Sequence, residues 1–184
     1  MTAPVSGGRA RYEHDEAVVE VLYSALRRAG IGFAASVPDT LNYPLVRRFE
    51  ADPEVISISC AREDEAVAAA MGAFLGGAWP CVMMEGSGIG LSALALARAI
   101  AQRTPMLILA SHLRALGERH DYHAATRLVT EPVLAALQIP IVPVIDPRDI
   151  PMFVREAQMT VQGDRRPVAL VFPRHSLHVQ QEEE

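Results

Sequence analysis

Residues 80–110 read PCVMMEGSGIGLSALALARAIAQRTPMLILA. Two short, continuously apolar runs, Pro80–Met84 and Pro105–Ala110, flank a helical pattern over Leu91–Ala101. Apolar runs of four to eight residues without alternation read as strands covered on both faces. A helix of this length between two such runs is the crossover that parallel strands need. The stretch therefore predicts a β-α-β unit, with the glycine loop Gly86, Gly88 and Gly90 joining the first strand to its helix.

The alternation extends in both directions. Upstream, Ala17, Val18, Val21, Leu22, Ala25 and Leu26 follow the i, i+3, i+4 helical spacing, with Gly30 as a stop. Next come a strand over Gly32–Val37, a helix over Leu41–Glu50 capped by Asp39 or Thr40, a strand over Val55–Ser59 and a helix over Glu63–Leu75. Downstream follow a helix over Ala124–Leu137 interrupted at Pro132, a strand over Ile139–Ile145, a helix over Asp149–Val161 and a strand over Pro167–Phe172. Six strands separated by helices predict an α/β fold, a three-layer α/β/α sandwich on a six-stranded parallel sheet. One domain is expected over residues 13–176, between a flexible N-terminus, 1–12, and an acidic tail, 177–184.

Composition narrows the function. The 184 residues are half apolar, which excludes a disordered chain. The net charge of −5, with no basic cluster, excludes a nucleic-acid partner. No apolar run approaches the ~20 residues of a membrane span, and Met1–Ala10 lacks the apolar core of a signal peptide. Two cysteines, Cys60 and Cys81, are too few for a disulfide framework. These features fit a reducing, cytoplasmic setting. The Glu63–Leu75 and Leu91–Ala101 helices are Ala-rich and lack a clear polar face. An outer helix of that kind is expected to be covered by another polypeptide.

In a sheet of this type ligands bind beyond the carboxyl ends of the strands. Four segments fall there: Val37–Thr40, Cys60–Glu63, Glu85–Gly90 and Ser111–Arg114. The glycine loop is neither a Walker loop nor a full G-x-G-x-x-G, and reads equally as a tight turn. Glu63, Asp64 and Glu65 open a helix, where acids complement the dipole; one of them held near apolar surface is also a candidate acid/base group. His112, His120 and His123 share a loop with Arg114 and Arg119. His120 and His123 have ligand-like spacing, but no Cys or acidic set completes a zinc site. The loop otherwise reads as a cationic pocket for an acidic small molecule.

Taken together, Val37-Pro38-Asp39-Thr40, Arg62-Glu63-Asp64-Glu65-Ala66-Val67, Gly72-Ala73, Ser87-Gly88-Ile89-Gly90 and Ser111-His112 resemble a known domain. It is the pyrimidine-binding domain of thiamine-diphosphate enzymes, in the form found in sulfopyruvate and phosphonopyruvate decarboxylases. The similarity runs from about Gly30 to Pro173. It implies thiamine diphosphate as cofactor, with Glu63 bonding the aminopyrimidine ring. The family's glutamate stands nine residues before a glycine read here as Gly72, which selects Glu63 over Glu65. Gly86, Ser87, Gly88 and Ile89 are implied as further cofactor contacts. Asp39, Thr40, His112, Arg114 and His123 are the expected contacts to a small acidic 2-oxo acid. No metal ligand is expected in this chain, which has no Gly-Asp-Gly motif. The resemblance thus implies a separate diphosphate-binding (β) chain that holds Mg²⁺, and self-association at least to a dimer. Where these relatives carry Gln-Asn before Ser-Gly-x-Gly, this chain has Glu85 and Gly86. Three other readings stand beside decarboxylation: a carboligating subunit, a non-catalytic scaffold chain and an unrelated flavodoxin-like nucleotide binder.

Overall fold

The computed structural model describes residues 12–40, 42–112 and 124–180. In chain order the elements are β1 (Tyr12–His14), α1 (Glu16–Arg28), β2 (Ile31–Ser36), α2 (Tyr43–Glu50), β3 (Ile56–Ser59), α3 (Glu63–Leu75) and β4 (Trp79–Glu85). Then follow α4 (Ser87–Leu91), α5 (Ala93–Ala101), β5 (Leu107–His112), α6 (Ala124–Ala136), β6 (Ile141–Pro143), α7 (Ile150–Asp164), β7 (Val168–Pro173), α8 (Arg174–Leu177) and β8 (His178–Gln180).

Six strands form one sheet in the order β3-β2-β4-β5-β7-β6, with every pair parallel. The strand runs are continuously apolar because each face has its own core. Ala34, Cys81, Met83, Leu107, Leu109, Leu170 and Phe172 pack with residues of α1, α2 and α7. Their neighbours Phe33, Ala35, Val82, Met84, Ile108, Ala110 and Val171 pack with residues of α3, α5 and α6. The period of two thus survives as an alternation between two buried faces rather than between core and water.

The order also places the site. β3 lies on one side of β2 and β4 on the other, so the crossover from β2 to β3 and the next, from β3 to β4, run in opposite directions. The crevice between their carboxyl ends is where such sheets accept ligands. Val37 after β2 and Glu85 at the end of β4 flank it, and Glu63 follows β3.

Three expectations need correction. The glycine segment is no open loop, because helix α4 begins at Ser87, directly after β4. Pro132 does not break α6; Thr126 and Thr130 before it and Leu134 after it are buried, and packing on both sides carries the helix through. The chain ends are not wholly loose either. Tyr12–His14, at the border of the start expected to be flexible, pairs antiparallel with His178–Gln180, within the segment expected to be an acidic tail. At α1, the Asp15 side chain accepts from the Ala17 and Val18 amides, capping the helix as Asp does.

Candidate active site at the carboxyl edge of the sheet

The turn from β3 into α3 sorts the three acids. Arg62, extended at the helix cap, donates from Nε and an Nη to both oxygens of Asp64, each at 3.0 Å. That bidentate pair holds the Asp64 carboxyl below its usual range. Glu65 Oε2 accepts from the Ala61 amide at 3.0 Å. Glu63 has no hydrogen-bond or ion-pair partner among the described residues. It is half-buried, and its side chain lies across Gly88.

That approach is close. A Cβ on Gly88 would lie 2.3 Å from Glu63 Cγ, 2.8 Å from Cδ and 2.9 Å from Oε1. Only a residue without a side chain lets the carboxyl rest there. Beneath Glu63, α3 is fixed by Ala66, Val67 and Ala70, which are fully buried. Small side chains at these positions let the helix sit low on β2 and β4.

Of the expected cofactor contacts, Glu63 and Gly88 come together, and the others take different places. Gly86 is closed under α6, where a Cβ would meet Thr130 Oγ1 at 2.6 Å and the Ser111 carbonyl at 2.7 Å. The Gly86 amide donates to that same carbonyl at 2.6 Å. Ser87 is half-buried at the start of α4, and Ile89 is fully buried in the core. The glycines here serve packing between elements. Thr126 Oγ1 donates to Glu85 Oε1 at 3.2 Å, and Ser111, paired with Glu85 in the sheet register, has a buried hydroxyl with no partner among the described residues. Sequence reasoning did not select Glu85, Thr126 or Ser111 as contacts; the end of a strand beside the crevice was the available signal.

Asp39 and Thr40 line a cleft of about 340 Å³ with His14, Pro38 and Tyr43, on the α2 side of the sheet. Asn42 Nδ2 donates to Asp39 Oδ2 at 2.9 Å, and the His14 ring donates from Nε2 to the Thr40 carbonyl at 2.8 Å. Glu63 and Gly88 are not part of that cleft's lining. The backbone of His112 closes β5, paired with Pro173; Arg114, His120 and His123 lie outside the described residues. Both cysteines are buried as free thiols, and burial pushes Cys81 up to about 12. On α3, α4 and α5 respectively, Leu75, Leu91 and Leu94 are 73%, 49% and 64% exposed. No helix among the described residues is long and apolar enough to cross a membrane.

The doubly wound parallel sheet gives the fold, and sequence comparison gives the family. Residues 16–129 match the family described as thiamine pyrophosphate enzyme, N-terminal TPP binding domain, and the chain belongs to that family. It is 30% identical over 152 residues to sulfopyruvate decarboxylase subunit alpha of Methanocaldococcus jannaschii, covering 82% of this chain and 90% of that one. The corresponding subunit of Methanothermobacter thermautotrophicus is 30% identical over 122 residues, 66% of this chain and 74% of that one. Among solved structures, benzoylformate decarboxylase from Polynucleobacter necessarius superposes with a TM-score of 0.70 at 20% identity, over 91% of this chain. This chain spans 32% of that protein's length, so the likeness speaks for the fold.

Proposed function

We propose that the chain is the α-type subunit of a two-chain, thiamine-diphosphate-dependent decarboxylase acting on a small acidic 2-oxo acid. The observation that carries this reading is the Glu63 carboxyl, unpaired and seated on Gly88 at the switch point of the sheet. When bound, the cofactor supplies the electron sink for loss of CO₂. Glu63 contributes a carboxyl that shares a proton with a ring nitrogen, and α3 fixes its direction. A carboxyl with no competing partner in the chain suits that role, because nothing else has to be displaced. The names of the sulfopyruvate relatives support both the reaction and the second chain. The second chain would supply the diphosphate and Mg²⁺ contacts, since this one has no Gly-Asp-Gly motif. The exposed leucines Leu75, Leu91 and Leu94 on α3, α4 and α5 are surface such a partner would cover. Asp39, Thr40 and His112, with Arg114 and His123, are the proposed substrate contacts, and Gly88, with Ser87 beside it, borders the cofactor.

The test compares two isosteric changes in the assembled enzyme. Glu63→Gln keeps shape and removes proton exchange, so turnover falls by the ~10²–10⁴ typical of lost acid/base catalysis, with little change in melting temperature. Glu65→Gln keeps an oxygen to accept from the Ala61 amide and leaves turnover near wild type. If Glu63 served only the helix dipole, both changes would cost a few tenths of a kcal/mol of stability and neither would touch turnover. Full activity of Glu63→Gln would end the proposal.

A further inference from the structure

On the far side of the sheet from Glu63, helices α1 and α7 enclose a cleft of about 420 Å³. That is within the ~300–1,000 Å³ of small-molecule sites. Two arginines line it, Arg28 from α1 and Arg155 from α7, and no acidic residue does. Arg28 has no ion-pair partner among the described residues, and Arg155 has only a loose 3.7 Å contact with the adjacent Glu156. In a chain of net charge −5 these are two uncommitted cations at one opening.

The second observation is at the cleft's floor. Gln158 is only 4% exposed, and neither Nε2 nor Oε1 has a hydrogen-bond partner among the described residues. A primary amide offers two donors and an acceptor, and folded proteins leave few such groups unmet. The amide is shut off from solvent as it stands, but the terminal torsion of Gln is soft. Because Gln158 is one of the residues that line the cleft, a ligand there is the partner its amide can reach through that torsion.

We propose that this cleft binds a small phosphorylated metabolite that carries an N–H or O–H donor, as a nucleotide base or a sugar does. Arg28 and Arg155 take the phosphate, for which the guanidinium fork is suited. Gln158 takes the donor on Oε1 and returns one from Nε2. The site shares no residue with the carboxyl-edge crevice, so its occupancy can be tested apart from catalysis.

The experiment is calorimetric titration of the full chain with AMP, ribose 5-phosphate and inorganic phosphate. At least one organic phosphate should bind saturably and more tightly than inorganic phosphate. AMP binding above ribose 5-phosphate assigns the donor to the base, and equal binding assigns it to the sugar. The Arg28→Ala/Arg155→Ala pair should weaken all three by about tenfold or more, as lost charge-assisted bonds do. Gln158→Leu should weaken the organic phosphates about tenfold, spare inorganic phosphate and leave the melting temperature of the free chain undiminished. The proposal is overturned if no probe binds at about 10 mM, if inorganic phosphate binds as tightly as the others, or if Gln158→Leu leaves every affinity unchanged.

Discussion

Gly88→Ala tests the contact on which the candidate site rests. The added Cβ would stand 2.3 Å from Glu63 Cγ, where ordinary contact begins at 3.4 Å, so the side chain must retreat by about 1 Å. The clash is with a flexible, half-buried side chain, which can change rotamer without disturbing the backbone. Ala in place of Gly within a helix contributes up to ~1 kcal/mol of stability, which offsets the cost of that rotamer change. The fold should therefore melt within a few degrees of wild type. The carboxyl, however, leaves its position, and a displacement of ~1 Å at a reacting group costs about 10² in rate. The assay is turnover of the assembled enzyme together with thermal unfolding of the same preparation. Gly86→Ala is the control: its Cβ meets the Ser111 carbonyl at 2.7 Å and Thr130 Oγ1 at 2.6 Å, and backbone cannot step aside. That variant should lose about 1–3 kcal/mol of stability. Full turnover in Gly88→Ala would refute the argument, and so would a melting temperature that falls as far as that of Gly86→Ala.

Other outcomes follow from the same structure. Leu94→Glu, on the exposed face of α5, should leave the fold of the chain intact and weaken its assembly with the proposed diphosphate-binding partner at least about tenfold, read by sedimentation of the mixed chains. The Tyr23 hydroxyl donates to Asp52 at 2.6 Å, and that bond, with the Glu54 amide and Arg27, holds the Asp52 carboxyl below its ordinary 3.8. A depressed pKa adds stability that is fully present above 3.8 and is lost as pH falls through the lowered value. Acid titration of melting temperature should thus show a shallower fall below pH 3.8 in Tyr23→Phe than in wild type. Burial pushes Cys81 up to about 12 and also raises Cys60, so neither should react with iodoacetamide at pH 8 in the native protein, while both react in urea.

The layer architecture was legible because each strand is short, apolar and flanked by helical spacing. Residues 80–110 alone carry the parallel crossover, and the observed register of Cys81 with Leu107 through Glu85 with Ser111 follows from it. The ends of the chain were not legible: three-residue β1 and β8 pair across more than 160 positions, and neither has a pattern of its own. The glycines were read from their type alone, which marks close approach without naming what approaches. It is Thr126 and Thr130 at Gly86, Glu63 at Gly88 and Val129 at Gly90. Three of those neighbours, Thr126, Val129 and Thr130, come from α6, far along the sequence, and no local rule connects them to the glycines. Within Glu63–Glu65 the chain's own pattern offers three equivalent acids, and only the family resemblance chose among them. Their separation depends on where Arg62 and the Ala61 amide fall after the strand ends.

That separation bears on what the acidic turn is for. Dipole complementarity would treat Glu63, Asp64 and Glu65 alike, since all three sit in the first turn of α3. Yet Asp64 is neutralised by Arg62, and Glu65 is committed to the Ala61 amide. Those two satisfy the local demands of the helix start. Glu63 is left over, resting on Gly88 with no hydrogen-bond donor among the described residues. A carboxylate in that position gains from an incoming hydrogen-bond donor and loses little by waiting, because its open side is hydrated. Leu75 is exposed at the far end of α3, and the exposed Leu91 and Leu94 follow within six residues of Gly88, on which the carboxyl rests. In the proposed two-chain enzyme, the partner that covers those leucines also removes water from Glu63. Docking and activation of the acid are then one event: a hydrogen bond to the carboxyl strengthens as the surroundings dry. A chain that kept Glu63 paired within its own fold would gain nothing from such a partner.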